Sequence, residues 1–600
     1  MSDHRAWPGQ PYLDELRPER TEIVRLALFT TYSVDLSAVA ATLLALIGRN
    51  DDKGSGTAVD FAEAIDKLRD RVRIIIQRGR IARPIALPRI AGILDQFIVE
   101  QQHDERERSW HPKIALVAYD CPKGGSRWKL WVGSRNLTRS QDLDAGVMLD
   151  GVEKRGKGRV RLSGVGALGA TLARSASRED ADDISKQLEA IWWEAPAGFR
   201  LRGLLNGLEA GVSLPLEPPA SAIDSITIVS PFLSAGFLKK AVAWGSGSRT
   251  LISSMPALAE IASRPGNPLV GFSRILAYAA PDVLLDEGPN TRQGAEPASD
   301  DDAEPVPMAL HAKIFCFHSG EKIILRVGSA NATERAWSGR NSEVMVELEA
   351  GEAFAAGLAF LVGSATPVTV EDLTAADPPS MSAADALEES RKVLLASWKP
   401  VLRRSGEHFA IDAETTPVLA YTDHVLHVGA ANGDLLAWPP NAVRLELGRI
   451  PLSHQSAFIQ AQISGPSGVE RWMQRVLIDP PLDEQRDLAA LAKHMGLHAF
   501  HDWMRGMLSG DTLPGGGGAW DEDIISKTRR FQGLGYDRLT LEDILTAWAR
   551  DRNTFSRADR HFRPYVDALL AHDDNLSARE RADLTELAQI WAIAQTQLTS

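Results

Sequence analysis

Cysteine is nearly absent from this chain, and so are the marks of a secreted or membrane-spanning protein. Cys121 and Cys316 are the two cysteines among 600 residues. They cannot form a disulfide framework and lack the paired spacing of a zinc site, so we expect reduced, packed thiols. The N-terminus shows no secretory leader, and the longest apolar run, near Leu36 to Ile47, is too short to cross a bilayer. These absences predict a cytoplasmic protein without a membrane anchor.

Overall positive charge is lacking as well. The formal net charge is -13, which argues against a protein coated in positive charge that binds polyanions without specificity. The apolar share of 44% and the charged share of 24% are those of a soluble globular protein. A chain of this length predicts about three to five domains.

Strand and helix patterns alternate through the first part of the chain, which predicts a layered α/β fold. The run "IVRLALFTTYSVD" from Ile23 has the pattern of a buried strand followed by a helix, and "SITIVSPFLSAGFLKKAVAW" from Ser225 repeats that order, so we infer an internal duplication. A helical stretch is predicted for about 180–208, and later residues show short alternating strands and then helical periodicity. We predict four units, which are an N-terminal half (1–215), a second half (216–370), a small β-rich domain (371–481) and a helical C-terminal domain (482–600).

Two short elements carry side chains suited to phosphate chemistry. In each, His and Lys two residues apart precede a strand-like run, a turn with glycine and a second strand that ends in Gly-Ser-x-Asn. Side chains two residues apart on a strand share a face, and the antiparallel return brings the Asn end beside the His start. Lys, Ser and Asn suit phosphate oxygens, and imidazole can act as nucleophile or general acid. The elements contribute His111, Lys113, Ser134 and Asn136, and His311, Lys313, Ser329 and Asn331.

This pair of elements resembles the duplicated HxK and GSxN motifs of the phospholipase D superfamily, over about residues 20–350. The resemblance implies two phospholipase D-like α/β sandwich halves that form one pseudo-symmetric active site for a phosphodiester. It implies His111 as the nucleophile that forms a phosphohistidine, and His311 as the acid that protonates the leaving oxygen and then activates water. The lysines and asparagines would bind phosphate with support from the serines, and no metal or cofactor would be required.

Members of this family also tend to place an acidic residue after GSxN to orient a histidine. Glu343 in "NSEVMVEL" and Asp144 in "DLDAGVML" stand at matching offsets, and a buried carboxylate on an imidazole N–H would set its tautomer. An ordinary acid at a strand edge is the alternative. The Asp that many members carry five residues after the Lys is replaced by Ala118 and His318. Tyrosyl-DNA phosphodiesterases also lack it, and "GSANATERAW", which ends at Trp337, is similar to their second motif.

A basic segment favours nucleic acid as the substrate. Eight lysine and arginine residues lie between residues 67 and 89, where Asp70 is the only acid. Guanidinium groups bind a phosphate backbone well. A solvated face balanced by acids elsewhere in the fold is an equal alternative. The segment contains Lys67, Arg69, Arg71, Arg73, Arg78, Arg80, Arg83 and Arg89. We expect Arg78, Arg80 and Arg83 to bind substrate.

The predicted function is a metal-independent nuclease, or an enzyme that processes DNA or RNA ends. A phospholipid-hydrolysing enzyme would use the same residues, and a non-catalytic nucleic-acid-binding subunit of a larger assembly would keep the fold, so both remain alternatives. Duplicated members with extra C-terminal domains resemble bacterial anti-phage effectors, which suggests a role in defence. The C-terminal region is a candidate site for a protein partner.

Two other features are candidate functional sites. The acidic insert at about 287–308 has the composition of a mobile segment and, just before His311, suggests autoinhibition by competition with a polyanionic substrate. His494, His498 and His501 share one helical face and could bind a metal. The interior Gly496 and the lack of a glutamate after His494 favour packed or surface histidines.

Overall fold

The structure is a computed structural model of a mixed α/β chain with several sheets. It describes residues 12–19, 21–50, 56–84, 90–122, 124–140, 142–245, 247–278, 309–374, 383–466, 468–483, 485–509, 539–550, 552–573 and 575–598. No helix within these ranges is both long enough and apolar enough to cross a membrane.

The first part of the chain alternates strands with helices. Its elements are α1 (Tyr12–Glu15), β1 (Ile23–Thr31), β2 (Val34–Asp35), α2 (Leu36–Leu46), α3 (Ala58–Leu68), β3 (Val72–Gln77), β4 (Ile81–Ala82), β5 (Ile98–Gln101), β6 (Ser109–Trp110), β7 (Ile114–Asp120), β8 (Ser126–Gly133), β9 (Gly146–Val152), α4 (Val165–Ser175), α5 (Ala181–Glu189) and β10 (Trp192–Glu194). The predicted strand and helix from Ile23 are confirmed. The apolar β1 is buried, and the Asp35 side chain then begins α2 by accepting a hydrogen bond from the Ala38 N–H.

The second part also contains alternating strands and helices as its elements. They are β11 (Phe199–Gly207), β12 (Ser225–Val229), α6 (Ala235–Val242), β13 (Ser248–Ser253), α7 (Met255–Ala262), β14 (Arg274–Ala277), β15 (Ile314–Ser319), β16 (Lys322–Gly328), α8 (Glu334–Trp337), β17 (Asn341–Ala350), α9 (Glu352–Gly363), β18 (Thr366–Pro367) and α10 (Val370–Thr374). Ser234 caps α6 as Asp35 caps α2. The prediction of helix over 180–208 is wrong after Glu189, because Pro196 and Gly198 follow and the next residues pair with β17 as β11.

Two large sheets have the same strand order. Six strands run β9-β8-β7-β1-β3-β5 in one sheet and β17-β16-β15-β12-β13-β14 in the other. In both, the last three strands are parallel to one another and the first three are antiparallel. One hydrophobic core contains residues of both sheets, such as Leu116 and Val327. This order agrees with the inferred duplication, which stays a prediction.

Backbone contacts cross from each sheet to the other close to the motifs. β6, just before His111, pairs with β17 in parallel, and the His111 N–H donates to the Ser342 carbonyl at 3.2 Å. Leu143 forms a bridge with Leu310, and the His311 N–H donates to the Leu143 carbonyl at 3.0 Å. Each motif histidine is therefore held by the chain segment that follows the other GSxN sequence.

The C-terminal region contains strands first and helices afterwards. Its elements are α11 (Ala383–Ser397), β19 (Pro400–Ser405), β20 (His408–Ala413), β21 (Val425–Ala430), β22 (Leu436–Ala437), β23 (Arg444–Arg449), β24 (Phe458–Gly465), β25 (Gly468–Arg475), β26 (Leu477–Asp479), α12 (Gln485–Ser509), α13 (Leu541–Arg550), α14 (Arg552–His572) and α15 (Ala578–Leu598). One sheet runs β2-β4-β25-β24-β21-β22. Two short strands of the first part therefore belong to a C-terminal sheet, although the predicted boundaries separate the two regions.

Candidate active site

The two motif hairpins form as the spacing predicts. β7 begins directly after Lys113, β8 ends directly before Ser134, and Ile114 pairs with Val132. In the second copy β15 begins after Lys313, β16 ends before Ser329, and Ile314 pairs with Val327. Antiparallel pairing therefore brings the His-x-Lys start of each element beside its own Ser-x-Asn end.

Each histidine is bound by a carboxylate from the other half of the site. His111 Nδ1 lies 2.9 Å from Glu343 Oε1, and His311 Nδ1 lies 2.7 Å from Asp144 Oδ1. Because Nδ1 is engaged in both rings, Nε2 is the nitrogen left for a substrate. Both predicted acids therefore lie beside a histidine. Each acid follows one motif in the sequence and pairs with the histidine of the other motif.

The two serines bind these carboxylates. Ser134 Oγ donates to Asp144 at 2.7 Å, and Ser329 Oγ donates to Glu343. Each hydroxyl also accepts a backbone N–H, from Ala145 at 2.9 Å and from Val344 at 3.0 Å. The serines therefore orient the two carboxylates.

Both motif lysines are fully buried. Lys113 and Lys313 are 0% exposed, and each ammonium donates to the carbonyl of the histidine two residues earlier, at 2.8 and 2.7 Å. Burial lowers the pKa of Lys113 well below its usual value and lowers the pKa of Lys313 to about 8. An anionic substrate would favour the charged form of both lysines.

The two asparagines differ in their contacts. Asn136 Oδ1 accepts from the Thr31 hydroxyl at 3.3 Å, which leaves its Nδ2 for a ligand. Asn331 is 7% exposed, and its Oδ1 has no hydrogen-bond partner among the described residues. Its backbone is fixed instead, because Trp337 Nε1 donates to the Asn331 carbonyl at 2.9 Å.

The electrostatic settings of the two carboxylates are unequal. Glu343 is 0% exposed, and burial raises its pKa to about 8 despite the charge of Lys113. Burial also acts on Asp144, but the hydrogen bonds from His311 and Ser134 and the charge of Arg135 leave its pKa below the usual value. At neutral pH the His311 partner is therefore ionised, while Glu343 holds a proton much more readily.

Burial lowers the pKa of both histidines, and of His111 more strongly. The charges of Lys113, Lys313 and His311 add to the lowering of the pKa of His111. For His311 the hydrogen bond to Asp144 opposes the effect of burial. The two motif sets therefore lie close enough for the charges of each set to act on the histidine of the other.

Tyr32 is a residue of this site that the motifs did not predict. Its ring centroid lies 5.3 Å from that of His111 and 5.8 Å from Lys113 Nζ. It follows β1 directly, so the position after the first strand of the sheet was the one signal available. The Tyr32 hydroxyl donates to Glu105 Oε2 at 2.9 Å.

The predicted substrate-binding arginines are placed differently from the motif residues. Arg78 is buried, and its Nη2 donates to the Trp398 carbonyl at 2.7 Å. Arg80 forms ion pairs with Glu105 and Glu388. Their guanidinium groups are bound by the chain itself, which favours an internal role, and substrate binding by these two arginines stays a prediction. Arg83 is partly buried and its role in substrate binding stays a prediction.

Other basic residues of the segment are also used internally. Lys67 pairs with Glu63 and Arg69 pairs with Asp487, while Arg71 donates to the Val24 carbonyl. The arrangement favours the alternative of a face balanced by acids elsewhere. Arg89 lies outside the described residues.

The other candidate features are the acidic insert, the C-terminal histidines and the two cysteines. The whole acidic insert at 287–308 lies outside the described residues, which resume at 309, two residues before His311. His501 is buried, and its Nδ1 accepts from the Leu539 N–H at 3.2 Å. No group of three or more metal-binding side chains occurs in the part of the chain that the structure describes. Cys316 is buried, Cys121 is partly buried, and both are free thiols.

Comparison with solved structures finds two kinds of enzyme that are distantly similar to this chain. The chain is similar to the yeast tyrosyl-DNA phosphodiesterase at 12% sequence identity and a TM-score of 0.31, over 57% of this chain and 86% of the yeast chain. It is also similar to the polyphosphate kinase from Porphyromonas gingivalis at 10% identity and a TM-score of 0.30, over 62% and 49% of the two chains. No family model matches the chain, and no curated protein matches its sequence. The likeness is loose, so the chemistry rests on the geometry of the site.

Proposed function

We propose that this chain is a phosphodiesterase that acts on nucleic acid without a metal ion, through a phosphohistidine. The observation that carries the proposal is the crossed pair of dyads, His111 with Glu343 and His311 with Asp144, in one site with two buried lysines. Two imidazoles with Nδ1 engaged and Nε2 free suit a two-step displacement at phosphorus. The lysines supply the positive charge that phosphate oxygens need.

In the first step, Nε2 of His111 attacks phosphorus and the bond to the leaving oxygen breaks. His311 gives that oxygen its proton and becomes neutral. In the second step, His311 takes a proton from water, whose oxygen attacks phosphorus and breaks the nitrogen–phosphorus bond. This returns His111 to its starting form and leaves His311 protonated again.

The unequal carboxylates support this division of roles. An ionised Asp144 stabilises the imidazolium form of His311, which is the form that an acid needs. The His111 ring gains positive charge as its Nε2 binds phosphorus. Glu343, with its high pKa, is suited to take up the Nδ1 proton at that moment. The order of the two histidines is part of the proposal.

Nucleic acid is proposed as the substrate on the motif "GSANATERAW", because its form is similar to the second motif of tyrosyl-DNA phosphodiesterases. A phospholipid headgroup would present the same phosphodiester to the same residues. The role in defence against phage is a further hypothesis, which plating of phages on cells with the wild type or His111→Ala would test.

The deciding experiment treats the full chain with EDTA and offers it labelled single-stranded and double-stranded DNA and RNA, and phosphatidylcholine liposomes. His111→Ala and His311→Ala are assayed beside the wild type. We expect cleavage of nucleic acid without added metal, and a loss of at least about a thousandfold in each variant.

A second measurement tests the intermediate. Acid-stable and alkali-stable phosphorylated forms are separated after a short reaction with phosphorus-labelled substrate. Base-stable label on the wild type that is missing from His111→Ala supports His111 as the nucleophile. Turnover of lipid alone would overturn the substrate, and label that persists in His111→Ala but not in His311→Ala would reverse the two roles.

A further inference from the structure

Arg80 links two distant parts of the chain close to the proposed site. Its Nε donates to Glu105 Oε1 at 2.8 Å, and its Nη2 donates to Glu388 Oε1 at 2.5 Å. Glu388 lies on α11 of the C-terminal region. The Arg80 side chain is 12% exposed, so the ion pairs are shielded from water and depend on one another.

Tyr32 connects this ion-pair group to His111. The Arg80 Cζ lies 4.7 Å from the centre of the Tyr32 ring, and the Tyr32 hydroxyl donates to Glu105. The same ring also lies beside His111, at 5.3 Å between centroids. Glu388, Arg80, Tyr32 and His111 therefore form one continuous set of contacts.

The segment that carries Arg80 is itself fastened to the C-terminal region. A Cβ on Gly79 would lie 2.5 Å from Leu395 Cδ1, so α11 approaches the backbone closely at this point. Ile81 in β4 pairs with Met473 in β25. The position of Arg80 is thus set by contacts with residues more than 300 positions away in sequence.

We propose that Arg80 and Glu388 are positioning residues, through which the C-terminal region holds Tyr32 against His111, the nucleophile of the proposed reaction. The inference rests on the proposed function and gives a role to a region that the motifs leave unexplained. Side chains that orient a reacting residue without touching the substrate commonly affect turnover more than substrate binding.

This inference and the original substrate-binding prediction for Arg80 differ in what they predict. A guanidinium that binds phosphate changes KM when it is removed, whereas one that positions Tyr32 changes kcat. The test uses Arg80→Gln and Glu388→Gln in the full chain, with Glu389→Gln on the same helix as a matched control.

We expect kcat to fall by about tenfold or more in Arg80→Gln and Glu388→Gln, with KM within about twofold of the wild type. Glu388→Asp, which keeps the carboxylate, recovers part of kcat, and Glu389→Gln behaves as the wild type. A rise in KM with unchanged kcat, or no change in either, would overturn the inference.

A second measurement does not depend on turnover. Histidine is labelled with carbon-13, the His111 signal is assigned by its loss in His111→Ala, and its pH titration is followed by NMR. His111 is faced by Lys113, Lys313, His311, Glu105 and Glu343. Loosening of Tyr32 admits water, so we expect the His111 midpoint to rise in Glu388→Gln while the His311 midpoint stays in place.

The two readouts separate failure of the inference from failure of the proposed function. If the wild type cleaves no phosphodiester, the proposed function fails, and the titration alone decides whether Glu388 positions His111. An unchanged His111 midpoint in Glu388→Gln would overturn the inference even where the enzyme is active.

Discussion

Single side chains decide which protonation states the two histidines can reach. Glu343 is held by the neutral groups of Ser329 and Asn341, whereas Asp144 also lies 3.5 Å from the Arg135 guanidinium. The halves therefore have the same geometry and different charge. In the proposed reaction, the active form needs Glu343 ionised and His311 protonated.

The first prediction is a shift in pH dependence in Glu343→Gln. The pKa of Glu343, about 8, is above that of His311. The fraction of enzyme that has Glu343 ionised and His311 protonated is therefore constant between these two pKa values. It falls at lower pH as Glu343 is protonated, and above about 8 as His311 loses its proton. The glutamine amide in this variant still accepts a hydrogen bond from Nδ1–H and does not titrate. The decrease of kcat/KM at high pH should therefore begin more than about one pH unit lower in the variant than in the wild type.

Lys313 needs a control in this experiment, because burial lowers its pKa to about 8 as well. Lys313→Arg keeps a cation that does not titrate in this range. If Glu343→Gln retains the wild-type decrease of kcat/KM above about pH 8 and Lys313→Arg removes it, the decrease is due to Lys313 and the assignment to Glu343 is wrong.

The second prediction concerns Trp337, whose indole N–H fixes the Asn331 backbone. Trp337→Phe keeps most of the ring but leaves a buried carbonyl without a donor, so we expect a loss of about 1–3 kcal/mol in unfolding free energy. KM should also rise, because Asn331 belongs to the proposed phosphate site. Urea unfolding and steady-state kinetics measure the two effects.

Trp128→Phe is the matched control, because Trp128 is fully buried and its Nε1 has no hydrogen-bond partner in the described ranges. It loses the same atoms without losing a hydrogen bond. Equal effects on stability and KM in both variants would show that ring size, and not the bond to Asn331, is responsible.

The end of each motif hairpin is built for close approach of two strands. A Cβ on Gly328, the last residue of β16, would overlap the Val344 carbonyl oxygen in β17. The corresponding Cβ on Gly133 would lie 2.8 Å from the Ala145 oxygen. Glycine at this place lets the Ser-x-Asn sequence lie against the chain segment that carries the acid, which is β17 for Glu343 and the residues just before β9 for Asp144.

The third prediction follows from this approach. In Gly328→Ala the strands β16 and β17 must separate, so we expect a loss of about 1–3 kcal/mol in unfolding free energy together with reduced kcat/KM. Gly203→Ala in β11 is the control, because a Cβ there meets no atom within 4 Å. Wild-type stability in Gly328→Ala would contradict the close contact.

The fourth prediction concerns the attachment of the C-terminal helices to the short 3-10 helix Ala91–Gln96, which precedes β5. Asp95 accepts from Arg486 Nη1 and Nη2, both at 2.6 Å, and from the Ala457 N–H. It is almost completely buried. Asp95→Ala removes two hydrogen bonds from a buried guanidinium, which keeps its contacts with Asp487 and the Gln455 carbonyl, so we expect the unfolding free energy to fall by about 3 kcal/mol.

Urea unfolding of the full chain measures this change. Asp183→Ala is the control, because Asp183 and its partner Lys186 are both exposed and a change within about 0.5 kcal/mol is expected there. A small effect of Asp95→Ala would mean that the C-terminal helices are not anchored through this ion pair.

The sequence by itself determined the local structure and the kind of chemistry. The spacing of His111 and Lys113 before an alternating apolar run specifies a strand and a turn, because strand period and turn residues are local properties. The residue types predict a phosphate site for the same reason, since imidazole, ammonium and amide groups keep their chemistry in any fold. Helix was wrongly predicted after Glu189 because pairing of β11 with β17, a distant strand, decided that segment.

Only the tertiary structure decided which half supplies each acid and where the arginines point. A guanidinium is equally suited to a phosphate and to a carboxylate. The sequence around Arg80 therefore could not show whether its side chain binds a substrate or Glu388. Contacts such as Glu343 with His111 join residues separated by 232 positions. Such contacts depend on how whole sheets pack, and no local period in the chain records that packing.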